Sequence, residues 1–154
     1  MNRRRAIAVL TLLGILDATY LLLGKLGITS GYACSVTQGC DVVNTSQYSV
    51  FLGIPVAAIG LAGYLALFVL AVAGTQSRWL ADRRPDLLLS VLAGLAALFS
   101  LYLTYAELFI LRAICQWCVV SQLLILAILV LALAGVTGKR GEDIEGGRAP
   151  NAEY

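Results

Sequence analysis

The 154-residue sequence contains no histidine, which removes the commonest general base and the commonest nitrogen ligand for a metal. Charge is scarce too: 13% of residues are charged against 60% hydrophobic, and the mean hydropathy is +0.86. A chain of this length with so little charge is not an ordinary soluble globule. The net charge of +2 is too small to suggest a nucleic-acid partner, so what matters is where the charges lie. What remains reads as a membrane protein with four cysteines in two pairs, Cys34 with Cys40 and Cys115 with Cys118. Such pairing points either to disulfides facing an oxidising compartment or to a metal site.

Four apolar runs are long enough to cross a bilayer. They cover about 6–26, 54–73, 87–108 and 114–136, and between the first two lies a polar loop, 27–53. The expected fold is all-α: a polytopic four-transmembrane-helix bundle with one long outer loop, occupying 1–136. Arg3, Arg4 and Arg5 precede the first run, as in a signal peptide, but the run is long, holds Asp17 and lacks a clear A-x-A site. It is therefore read as a retained span. Pro55 falls in the first turn of the second run and Pro85 where a third helix would start. The Gly-rich, charged tail 137–154 is expected to be disordered and cytoplasmic.

With four spans, both termini lie on one side. That side holds nine basic residues (Arg3, Arg4, Arg5, Arg78, Arg83, Arg84, Lys139, Arg140 and Arg148) and the other holds two, Lys25 and Arg112. By the positive-inside rule the termini are cytoplasmic. All four cysteines then face the outer compartment, where disulfides are made.

Three readings compete for the thiols: a zinc site, structural disulfides, and a redox relay. The five-residue gap between Cys34 and Cys40 is loose for zinc. A disulfide across one helical turn closes a tiny loop and stabilises little, whereas C-x-x-C is the spacing of redox-active pairs. At the start of a helix Cys115 would meet the positive end of the dipole, with Arg112 three residues earlier. Cys115 is thus expected to be the easier thiolate, although Arg112 reads equally well as an interfacial anchor. Cys118, one turn deeper, is placed to meet an electron acceptor dissolved in the membrane. A quinone fits, because it takes up the two electrons and two protons that two thiols release.

The residues Cys34-x5-Cys40, Cys40-Asp-Val-Val-Asn-Thr-Ser46, Phe51-Leu-Gly-Ile-Pro55 and Cys115-Gln-Trp-Cys118 fall in an order that resembles the vitamin K epoxide reductase family in its bacterial and archaeal single-domain form, over roughly 6–136. The resemblance implies a multi-pass inner-membrane enzyme whose bundle encloses a quinone pocket, with Cys115 and Cys118 as the active-site disulfide. It implies that Cys118 contacts the quinone, ubiquinone or menaquinone, that Cys115 exchanges with Cys40, and that Cys34 meets an external thioredoxin-fold partner. Because the chain ends soon after the fourth span, that partner is expected to be a separate polypeptide. No metal is implied.

Candidates for the quinone site are Ser46, Phe51, Gln122 and Asp17. Gln122, at i+4 from Cys118, could donate to a quinone carbonyl or simply bond between helices. Asp17 could line the pocket or bond a hydroxyl on a facing helix, such as Tyr64 or Tyr102. Ser46 could shape the loop over the pocket or bond the backbone. Tyr20, Tyr102 and Tyr105 read equally as pocket walls or interfacial aromatics. The animal enzymes carry Tyr where Gln122 stands and Asn where Val56 falls, so epoxide reduction and coumarin sensitivity do not carry over by motif. The rival readings are a non-enzymatic tetraspan scaffold stapled by disulfides, an unrelated four-helix thiol:quinone oxidoreductase, or vitamin K epoxide reduction as the main role.

Overall fold

A computed structural model describes residues 2–29, 32–34, 39–74 and 84–146, with side chains described as far as 138. Most of the 74–86 connection, including Arg78 and Arg83, and the end of the tail with Arg148 lie outside the described residues. Four long helices carry the fold: α1 (Asn2–Lys25), α3 (Val56–Ala73), α4 (Arg84–Tyr105) and α5 (Gln116–Gly146). All four are long and apolar enough to cross a membrane. A short helix α2 (Cys40–Thr45) stands in the outer loop.

Helix α1 ends where Gly27 takes a φ of +72°, and the amides of Gly27 and Ile28 bond back to the carbonyls of Gly24 and Leu23. That pair of bonds uses two carbonyls the helix would otherwise leave orphaned. The second span starts two residues later than the apolar run suggested. Leu52 and Gly53, with φ of 52° and 82°, turn a hairpin in which Phe51 pairs with Ile54 and Val50 with Pro55. Pro55 therefore caps α3 from outside, with no N–H to leave unsatisfied.

The third span does not stop at 108. After Tyr105 the chain widens into a π-type turn, Ala106–Leu111, closed by Arg112 in the left-handed conformation at φ 49°. The fourth helix begins at Gln116, not at 114, and continues through Gly146, so 137–146 are helical rather than disordered. A helix nucleated in lipid gains a backbone bond for each residue it adds, and 137–146 hold no proline to stop it.

The helices form a closed ring: α1 packs on α3 and α5, and α4 packs on α5 and α3, the α3–α4 seam being the least extensive of these four. Ile7, Leu67, Leu89, Ala93, Ala97, Ile128 and Ala132 fill its core. Alanines at 93 and 97 let α4 approach its neighbours closely. Leu16, Leu98 and Val130 instead point outward, each about two-thirds exposed (67%, 66% and 65%). On a bundle in lipid this is the side chains' resting place, because the backbone polar groups along the middle of each helix are already paired within it.

One end of the bundle is tied by charge. Arg4 donates to Asp86 at 3.0 Å, and Arg3 reaches Asp86 at 3.5 Å and the Leu131 carbonyl at 3.1 Å, joining α1, α4 and α5. Two of the arginines counted on the positive side therefore also tie helices together. Asp86 is 2% exposed, so Asp86→Ala leaves Arg4 buried without its carboxylate. We expect a loss of about 3–5 kcal/mol of stability, read as a lowered midpoint of thermal unfolding in detergent. An unchanged midpoint would show the pair to be idle.

Candidate functional site: two cysteine pairs and a cavity

At the opposite end of the bundle, Cys34 and Cys40 form a disulfide, while Cys115 and Cys118 are free thiols. Cys40 and Cys115 are both essentially unexposed (1% and 0%) and share one buried cluster with Val43. Two local features bring the pairs together. Gly39, just before Cys40, lies against the backbone of Ile114, just before Cys115: a Cβ on Gly39 would stand 2.6 Å from the Ile114 carbonyl oxygen and 2.7 Å from its nitrogen. Asn44, one turn along α2, donates to the Cys40 carbonyl at 2.9 Å and toward the Cys115 sulfur at 3.7 Å.

Cys115 is not inside the helix, as the spacing suggested, but caps it. Its carbonyl accepts the Val119 N–H at 3.1 Å and its sulfur accepts the Cys118 N–H at 3.3 Å, in the place where a serine or aspartate oxygen usually stands. Cys115 lies in the 112–115 connection between spans. Its thiol is held below the ordinary cysteine value, first by the hydrogen bond from the Cys118 thiol and against the opposing effect of burial. Arg112 is exposed at the end of the π-type turn, and the N–H donors on the Cys115 sulfur come from Asn44 and the Cys118 amide.

Glu107, which the sequence reading passed over, completes this group. The π-type turn carries it inward to 6% exposure, and its Oε2 accepts the Cys115 N–H at 3.2 Å. It lines the same cavity as Cys118. The sequence held one signal for it: besides Asp17, it is the only acidic residue within the four apolar runs.

The outer pair is held from the side by aromatics. Trp117 donates its indole N–H to the Ala33 carbonyl at 3.1 Å, and the Tyr20 hydroxyl accepts the Ala33 N–H at 2.6 Å. The two rings pack at 5.0 Å, so the residue next to Cys34 is clamped between them. Tyr20 is therefore a support for the outer loop. Tyr102 and Tyr105 are about half exposed, and Tyr105 stacks on Phe109.

Cys118 opens onto a cavity of about 330 Å³ between the helices, within the usual size range of small-molecule sites. Its walls are mostly apolar, with polar groups from Asp17, Lys25, Asn44, Ser100, Thr104, Glu107 and Ser121. Lys25 closes the rim by donating to the Asn44 carbonyl and the Ser49 hydroxyl, both at 2.6 Å. Asp17 faces the cavity, and neither of its carboxyl oxygens makes a hydrogen bond of ordinary geometry. Tyr64 does not bond it; its hydroxyl pairs with Ser121, 2.9 Å from the side-chain oxygen and 3.0 Å from the carbonyl.

The other three pocket candidates are not on this wall. Gln122 turns toward α4, where its Oε1 accepts from the Ser100 hydroxyl, so it bonds between helices. The Ser46 hydroxyl donates to the Val43 carbonyl at 2.7 Å and closes the end of α2, the backbone role. Phe51 packs edge-on against Phe99 at 5.6 Å and belongs to a second, smaller hollow with Tyr48, Val56 and Tyr102. Phe99, behind it, reaches the main cavity.

The sequence model of the vitamin K epoxide reductase family matches residues 5–133, which include all four spans and both cysteine pairs. Membership of this family implies thiol–disulfide oxidoreduction linked to a membrane quinone. With an oxidised pair, a reduced pair and an apolar cavity in sequence along one end of a membrane bundle, the chain belongs to the vitamin K epoxide reductase family.

Proposed function

We propose that this protein reoxidises a thioredoxin-fold partner on the extracytoplasmic face and passes the electrons to ubiquinone or menaquinone, so sustaining disulfide formation outside the cytoplasm. Three exchanges balance the reaction. The partner's dithiol reduces Cys34–Cys40, Cys34 being attacked first and Cys40 released. The outer dithiol then reduces Cys115–Cys118 through a Cys40–Cys115 bond and returns to its own disulfide. The inner dithiol closes again as the quinone becomes quinol, taking two electrons and two protons. The positions of the cysteines support this order: Cys34 is the partly exposed member of the outer pair, Cys40 is buried beside Cys115, and Cys118 lines the cavity.

The observation that carries the reading is that the inner dithiol touches both the buried outer cysteine and the cavity. The cavity's chemistry suits a quinone, since apolar walls accept the ring while Ser100, Thr104 and Ser121 offer hydroxyls. The basic bias of the N-terminus, the 74–86 connection and the tail supports cytoplasmic termini. Purified protein in detergent, given a reduced thioredoxin-fold partner and a short-chain quinone, should form quinol with partner disulfide in equal amounts. Failure to reduce either quinone would reject the proposal.

A further inference from the structure

Among the described residues two carboxylates line the cavity, in a chain that has no histidine, and of these two only Glu107 is hydrogen-bonded at the dithiol. Its Oε2 is fixed by the Cys115 amide at 3.2 Å, and it is carried on a π-type turn, a distortion frequent at functional sites. An acid this buried beside lipid is costly to keep for packing alone. Resting on the thiol-to-quinone reading above, we propose that Glu107 is the catalytic proton carrier of the inner dithiol: its carboxylate takes the proton of Cys118 and hands it to the reduced quinone.

The balance is simple. Closing the Cys115–Cys118 bond releases two electrons and two protons, and the quinone needs both pairs to leave as quinol. The electrons go from sulfur to the quinone. The Cys118 proton goes to Glu107 and on to a quinol oxygen, and the Cys115 proton follows through the same carboxylate, which already touches its backbone. The other titratable groups facing this cavity are Asp17 and Lys25 on α1, Tyr48 in the loop, Tyr64 on α3 and Cys118 on α5. Lys25 is engaged by Asn44 and Ser49, and Tyr64 by Ser121. Asp17 stands beside Ser121, three residues beyond Cys118 along α5.

Glu107→Gln keeps an oxygen for the Cys115 amide and the same size, but cannot take a proton. Two readouts test it on the fully reduced, full-length protein. In the first, a bilayer-soluble maleimide alkylates Cys118 across a pH series, followed by peptide mass spectrometry; no quinone is needed, so failure here is separable from failure of the quinone reading. The proposal expects alkylation at neutral pH to slow by about tenfold or more and the profile to move to higher pH. If Glu107 acted only as a nearby negative charge, its removal would speed alkylation, and if it acted only as a strut the rate would stay; either result overturns the proposal. In the second, single-turnover quinol formation should fall by about 10²–10⁴-fold. Should the Gln variant fail to fold, Glu107→Asp is read the same way: slowing of both steps supports the proposal, and wild-type profiles overturn it.

Discussion

Replacing Cys118 with alanine is expected to abolish quinone reduction and to leave Cys40 joined to Cys115. In the proposed relay that bond is a passing intermediate, left forward when Cys34 closes on Cys40 and backward when Cys118 attacks Cys115; without Cys118 the Cys115 thiolate can still attack Cys40, but no inner disulfide can form and only Cys34 can release the bond. Cys34 is freed in the same step, so the trap is locked by alkylating Cys34 and read by which peptide carries the label. Label on Cys34 with a Cys40–Cys115 crosslink is the expected outcome; label on Cys115 with Cys34–Cys40 intact would break the proposed order of exchange. Turnover should fall on the order of 10⁴-fold or more, as when one member of a group acting as a unit is removed. Burial of Cys40 and Cys115 in one cluster makes the trapped bond a short step from the structure described.

The second large effect is expected from a residue with no side chain. Gly39→Ala would place a methyl 2.6 Å from a carbonyl oxygen and 2.7 Å from a nitrogen of the Ile114 backbone. Neither atom is the end of a flexible side chain, so strands of backbone must separate and Cys40 must draw away from Cys115. A displacement near 1 Å between reacting groups costs about 10²-fold in rate. Partner-driven quinone reduction should drop by that order, while a single turnover started from the fully reduced protein should keep its wild-type rate. Equal loss in both assays would mean that the methyl disturbs the cavity and not the exchange.

Much of the fold was legible because lipid imposes few choices: an apolar run of Ile54–Ala73 or Leu87–Leu108 must be a helix, and its ends were misjudged by only a few residues. The misjudged ends have local causes. Leu52-Gly53 turned a hairpin, Ala106–Leu111 added a wider turn, and Cys115 moved from the helix to its cap. The cysteines were legible because their spacing is itself chemistry. The cavity walls were harder, since four residues on a helix overshoot a full turn by about 40° and three fall short by about 60°. Both Ser121 and Gln122 were thus plausible neighbours for Cys118, and only the placement of α3 and α4 decides that Ser121 meets the cavity and Gln122 meets Ser100. Glu107 and Asn44 act across the bundle on Cys115, a contact that no sequence period encodes.

The thinnest seam of the ring has a consequence for how an acceptor is counted. Between α3 and α4 the cavity wall includes Gly60 and Gly63, where an added methyl would meet nothing within 4 Å, and reaches Leu95 on the outer surface. A molecule entering there arrives sideways from the hydrocarbon and is never dissolved in water. Its supply is then set by its mole fraction in a two-dimensional solvent, and by lateral diffusion in the leaflet. The appropriate variable for this protein's saturation is quinone per lipid, and an isoprenoid tail left lying in the seam would confine the search to a plane.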